Sequence, residues 1–268
     1  MRLALLLVAL AACSSKSGAP AVPPAPPPDA SAADAAPTAA RVRIPDDTRQ
    51  LLAAVVADWD TTDAELTLFT RDAPGGAWKP AGAPWRGTVG RTGVAWGRGL
   101  HGDGVPAGRP GPLKQEGDGR SPAGVFALGP AFGYAPAAPA GARLPYTPVD
   151  AHWRCVDDPT SAVYNRVLDE RTVIRDWSSS EDMRRADALY AWVVEVAHNT
   201  AAVPGGGSCI FLHVWGGPGD PTVGCTAMEE PRLAALLATL DPAAKPVLVQ
   251  LPAAEYDALA PAWHLPAR

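Results

Sequence analysis

Apolar residues in this chain fall mostly into short runs broken by glycine and proline, a texture that predicts many short strands and few helices. AELTLFTRD (64–72) alternates as a half-buried strand does, and PGG (74–76) turns the chain after it. GTVGRTGVAWGRGLHG (87–102) reads as glycine-punctuated β structure. The strongest strands are ALYAWVVEVAHN (188–199) and SCIFLHVW (208–215), rich in aromatic and β-branched residues, and PVLVQL (246–251) closes the series. Two segments carry a helical period instead. In 46–60, Leu51, Leu52, Val55, Val56 and Trp59 are spaced to bury one helix face behind Asp46 and Asp47 as caps. In 229–241, Pro231 sits near the first turn, ahead of apolar residues at 233, 236, 237 and 240. SSSED (178–182) reads as a turn with a capping box from Ser178 to Glu181. The expected fold is mainly β, a sandwich or barrel-like domain with a few helices. It comprises an N-terminal helix within 44–63, a principal domain over 64–252 and a C-terminal tail over 253–268.

The N-terminal region changes the picture. MRLALLLVALAACSS has one positive residue, Arg2, then an apolar run and small residues directly before Cys13. That pattern fits a secretory signal over 1–12. Leu10-Ala11-Ala12-Cys13 resembles the lipobox of bacterial lipoproteins, which implies lipidation at Cys13 and a membrane anchor. Residues 13–43 continue as an Ala/Pro-rich tether, 17 of the 27 residues from 14 to 40 being Ala or Pro, too poor in buriable surface to offset ordering entropy. The expected location is therefore a bacterial membrane, facing the periplasm or cell wall. The whole chain of 268 residues carries a formal charge of −5 and no long basic run, which gives nucleic-acid binding no electrostatic support.

With Cys13 assigned to lipid, Cys155, Cys209 and Cys225 remain in an oxidising compartment, an odd number that leaves at least one thiol unpaired. A Cys155–Cys209 bridge leaves Cys225 free; pairings that use Cys225 are the alternatives. His213 ends an apolar strand, and the glycine- and proline-rich loop 216–221 gives the chain room to return beside it. Cys225 follows Gly224, and the successive backbone N–H groups of Val223, Gly224 and Cys225 are candidate donors to an oxyanion. A thiol near an imidazole is the arrangement nucleophilic catalysis needs, with His213 expected to stabilise a Cys225 thiolate. A backbone carbonyl within 214–219 is the expected orienting partner of that imidazole. Trp215 is a candidate substrate wall, while His101, His152 and His264 lack ligand-like spacing, so neither metal nor cofactor is expected.

Three fragments in order, GTVGRTGVAWG (87–97), SPAGVF (121–126) and IFLHVW…TVGCTAM (210–228), together resemble the L,D-transpeptidase catalytic domain, the YkuD-type fold. The resemblance covers roughly residues 64–252. It implies a mostly β domain in which Cys225 attacks a carbonyl of a peptidoglycan stem peptide, forming a thioester, with His213 as general base. Thr222 falls within the matched motif and is a weak substrate-contact candidate; Arg120, with Lys114 and Arg109 in a glycine-rich loop, reads as a solvated loop charge or a weak contact to a substrate carboxylate. Two positions depart from the family pattern: Val223 stands where many members carry histidine, and Ala227 where many carry Arg or Asn. An amine acceptor gives transpeptidation; water gives hydrolysis by an L,D-carboxypeptidase or amidase. A non-catalytic wall-binding lipoprotein of the same fold is the third reading.

Overall fold

Hydrophobic alternation along the first two strands sets the architecture. The computed structural model describes residues 44–268. The signal, the lipidated Cys13 and the tether expected over 1–43 lie outside the described residues. Strands β1 (Gln50–Val56) and β2 (Asp63–Thr70) pair antiparallel, Leu51 opposite Phe69 and Val56 opposite Ala64. Short β3 (Lys79–Pro80) edges β2, and β4 (Trp85–Thr88) pairs with its other part. After β5 (Val94–Trp96), β6 (Arg98–Gly99) and β7 (Gly102–Asp103) comes the 13-residue β8 (Ser121–Gly133). β9 (Tyr146–Pro148) pairs with its end; β10 (Trp153–Val156), β11 (Val167–Asp169) and β12 (Ser180–Asp182) form a separate three-stranded sheet. The chain closes through β13 (Trp192–Val196), β14 (Phe211–Val214), β15 (Thr226–Met228), helix α1 (Glu230–Thr239), β16 (Val247–Pro252) and helix α2 (Ala253–Trp263).

Eight strands run in the order β1-β16-β8-β13-β14-β15-β4-β2, and the β1–β2 pairing closes them into a barrel. Closure removes the free edges that an open sheet of this length exposes. The barrel core holds Leu52, Leu66, Val94, Trp96, Phe126, Leu212, Leu248 and Leu251, all fully buried. A second cluster, with Phe132, Met183, Tyr190, Val193, Cys209, Phe211 and Cys225, lies between the outer face of β13–β14 and the three-stranded sheet. The two faces of β14 separate cleanly: Leu212 and Val214 belong to the barrel core, Phe211 to the second cluster. This double coverage explains why IFLHVW shows no alternation in its apolar character.

Two boundaries differ from expectation. The helix expected within 44–63 is strand β1: it is paired edge to edge with β16 and β2, Leu51–Ala54 are buried on both of its faces, and a short, continuously apolar run fits a helix face as well as a covered strand. Its β-branched Val55–Val56 end and tertiary pairing decide for the strand. Residues 253–268, expected as a tail, begin with α2, whose Tyr256, Leu259 and Trp263 are buried at i, i+3 and i+7. Pro261 inside this helix obscured that period. Among the described residues no helix is long and apolar enough to cross a membrane.

Candidate active site

β14 and β15 run parallel with Leu212 opposite Thr226 and His213 opposite Ala227. Register partners share a face in a parallel pair, and alternate residues return to it, so His213, Phe211, Ala227 and Cys225 stand on one face. Strand spacing and rise put the backbones of Cys225 and His213 roughly 8 Å apart on the diagonal. Both side chains border one cavity of about 450 Å³, together with Arg185, Tyr190, Trp215 and Thr222.

The turn that carries the thiol is braced from two directions. Ser121 Oγ and Thr222 Oγ1 each donate to the Cys225 carbonyl at 2.6 Å. Ser121 belongs to SPAGVF and Thr222 to TVGC, so the two motifs meet here. The Cys225 sulfur receives the Phe211 N–H at 3.4 Å and lies 3.5 Å from the Cys209 carbonyl. Gly224 adopts φ +153°, a conformation L side chains rarely take, and a Cβ there would stand 3.3 Å from the Arg120 carbonyl oxygen. The Gly224 N–H donates to Thr222 Oγ1, which corrects its expected role as an oxyanion donor and leaves the N–H groups of Val223 and Cys225.

His213 is oriented by its own strand. Its Nδ1 lies 2.7 Å from the Val214 carbonyl. A carbonyl only accepts, so Nδ1 carries the proton and Nε2 is the basic nitrogen. The Tyr190 ring meets His213 edge-on at 5.2 Å between centroids, and its hydroxyl donates to Glu181 Oε2 at 2.7 Å. Burial moves the two reactive groups apart in acidity. It pulls His213 down to about 4, with the Arg185 cation adding to the effect, and pushes the Cys225 thiol up to about 12, with Glu181 adding to it. The resting pair is thus a neutral thiol beside a neutral imidazole. Desolvation of both nearly enclosed groups disfavours the thiolate expected from the sequence.

Cys155 and Cys209 form a disulfide, so Cys225 is the free cysteine among the described residues. The bridge ties β10 of the small sheet to the segment that enters β14. Arg120 does not border the cavity: its guanidinium donates to the Trp59 and Val94 carbonyls and pairs with Asp60 at 2.7 Å, a structural clamp instead of the expected substrate contact. Thr222 lines the cavity, but its hydroxyl is engaged in shaping the turn. Trp215 forms part of the wall, as its position beside the strand implied.

Several site residues were missed. Arg185 supplies a cation to the cavity from a segment read only as connection, its guanidinium paired with Asp187 at 2.9–3.0 Å. Glu181, read as half of a capping box, instead sits in β12 opposite Cys155, while Ser178 donates to Asp158. His198, at the end of the 188–199 segment, does not border the cavity: it is a buried, satisfied histidine held by the Arg98 N–H and the Gly206 carbonyl. Among the described residues no group of three or more His, Cys, Asp or Glu side chains has metal-holding geometry.

No family model matches the chain, and no curated protein matches it. Among solved structures it is similar to the helical cell shape determining protein Pgp2 from Campylobacter jejuni, at 14% identity and a TM-score of 0.37, over 78% of this chain and 49% of that one. The chain spans about half the length of that protein's structure.

Proposed function

We propose that this chain is an L,D-transpeptidase-like cysteine acyltransferase that acts on peptidoglycan stem peptides through a thioester on Cys225. The observation that carries this reading is the strand register placing Cys225 and His213 on one face and at one cavity, with the imidazole held by Val214. Because the resting pair is neutral, His213 Nε2 acts as a general base during attack: it takes the thiol proton as sulfur bonds to the donor carbonyl carbon. The Val223 and Cys225 N–H groups receive the developing oxyanion. His213 then returns its proton to the departing amine, leaving the thioester. An amine or water takes the acyl group in the second half, giving transfer or hydrolysis. Arg185 offers the cavity a cation for a stem-peptide carboxylate, the contact that Ala227 cannot make. The lipobox-like sequence supports a lipid anchor on Cys13 that holds the domain at a bacterial membrane, facing the wall.

The 4% exposure of Cys225 and the upward push that burial gives its pKa, which weakens the thiol as an acid, favour a second reading, a non-catalytic wall-binding lipoprotein. One experiment separates them. The full chain is incubated with tetrapeptide muropeptides and examined by intact-protein and peptide mass spectrometry. An acyl adduct on Cys225, lost in Cys225→Ala and suppressed in His213→Ala, is expected. Muropeptide binding with no adduct and no product would leave the binder. Cross-linked or exchanged products identify a transferase; residues lost by water addition identify a hydrolase.

A further inference from the structure

Tyr190 is buried and held at three points. The Val214 N–H donates to the carbonyl of the preceding residue, Leu189, at 3.0 Å, which ties the Tyr190 backbone to the end of β14. Its ring meets Phe211 at 5.7 Å and His213 at 5.2 Å between centroids, both edge-on, and so spans two alternate side chains on one face of that strand. Its hydroxyl donates to Glu181 Oε2 at 2.7 Å. Glu181 is fixed in turn: it lies in β12 opposite Cys155, and the Cys155–Cys209 bridge joins β10 to the segment entering β14. Carboxylate, phenol and imidazole therefore form a row whose two ends are tied to each other through strand pairing and the bridge.

We propose that Glu181 is a positioning residue for the general base: through Tyr190 it holds the His213 imidazole at the angle that aims Nε2 at the Cys225 sulfur. The proposal rests on the acyl-transfer reading of Cys225 and His213. The bond between Nδ1 and the Val214 carbonyl anchors one corner of the imidazole and leaves the ring free to tilt about it. The edge of Tyr190 stops that tilt on one side, and the Glu181 carboxylate keeps the phenol from withdrawing. Burial holds the phenol above its ordinary acidity range, so the hydroxyl stays a donor at every working pH. Without Glu181 that enclosed O–H has no acceptor, and the ring is drawn out of place to find one.

Glu181 also acts on the thiol, in the opposite sense. Its charge adds to the burial that keeps the Cys225 thiol neutral. The bond to Tyr190 and the charge near the sulfur are therefore separable: Tyr190→Phe removes the bond alone, Glu181→Gln the charge alone, and Glu181→Leu both.

The test uses the full chain and three measurements: the rate of acyl-enzyme formation from a tetrapeptide muropeptide, iodoacetamide alkylation of Cys225, and the ring-nitrogen chemical shifts of His213. Glu181→Leu and Tyr190→Phe are each expected to slow acyl-enzyme formation about 10- to 100-fold, the scale of a misaligned reacting group. The double variant is expected to be no slower than the slower single one, because both act through one bond. In both slow variants the His213 nitrogens should report a mixture of tautomers in place of the Nδ1–H form. Glu181→Gln keeps an acceptor oxygen for Tyr190, so it should acylate at the wild-type rate. Alkylation should rise in Glu181→Gln and Glu181→Leu and not in Tyr190→Phe, a pattern that general loss of structure does not produce. Wild-type acylation in Tyr190→Phe, or a Glu181→Gln variant as slow as Glu181→Leu, would overturn the proposal and leave the acyl-transfer reading intact. A wild-type protein that forms no acyl-enzyme would overturn that reading, and the His213 nitrogen shifts would still decide whether Glu181 fixes the ring.

Discussion

Ser121 Oγ donates to the carbonyl of Cys225 at 2.6 Å, joining residues 104 positions apart. The same hydroxyl oxygen accepts from the Gly90 N–H at 2.8 Å, so one buried side chain links three segments of the barrel rim. Ser121→Ala leaves that N–H without a partner and strips one of two donors from the thiol turn. A loss of about 1–3 kcal/mol in urea unfolding is expected, together with a drop in acyl-enzyme formation. Wild-type stability in this variant would show that the brace carries nothing.

Gly124 takes φ +134°, and a Cβ there would stand 2.0 Å from His101 Cε1. The imidazole is packed between Trp96, Phe126 and Trp263 and has nowhere to retreat. Gly124→Ala should therefore cost at least about 2–3 kcal/mol, combining backbone strain with overpacking. Thermal melts read this directly; a melting temperature unchanged within a degree would contradict it.

Burial holds His198 and His213 near 4, below their ordinary value of about 6.5. Between those limits the unfolded chain binds the two protons and the folded chain does not. Stability is therefore full above about pH 6.5 and declines as pH falls toward 4, by up to about 3 kcal/mol for each histidine. Urea midpoints at pH 7, 5.5 and 4.5 should fall in that order. Acyl transfer, which needs neutral His213, should keep an acid limb near 4 in the same range.

The Cys225 thiol, pushed up to about 12, is expected to react with iodoacetamide at pH 8 more than about 1,000-fold more slowly than a free cysteine, with a rate that climbs steadily above pH 9. Peptide mapping of the alkylated protein measures it. Rapid labelling at pH 6–7 would reveal a preformed thiolate and refute the neutral resting pair.

Much of this was legible from local pattern. The strands around 64–72, 192–196 and 247–252 and helix α1 announce themselves by period, and Cys225 with His213 by residue type and loop chemistry. β1 was misread because a strand covered on both faces loses alternation, the cue that most directly separates it from a short helix. Arg185, Tyr190 and Glu181 were invisible for a different reason. They reach the site through the packing of the three-stranded sheet and its following segment against β14, a contact between distant stretches that no spacing within either one encodes.

Cys155, Cys209 and Cys225 share one buried cluster, yet only the first two are joined. Three thiols permit three bridges, and two of those would lock away the sulfur of the proposed nucleophile. Oxidation that joins Cys155 to Cys209, or thiol exchange that settles on that pair, is what keeps the third sulfur free. A wrongly oxidised chain would be a dead end that keeps much of the barrel and none of the proposed activity.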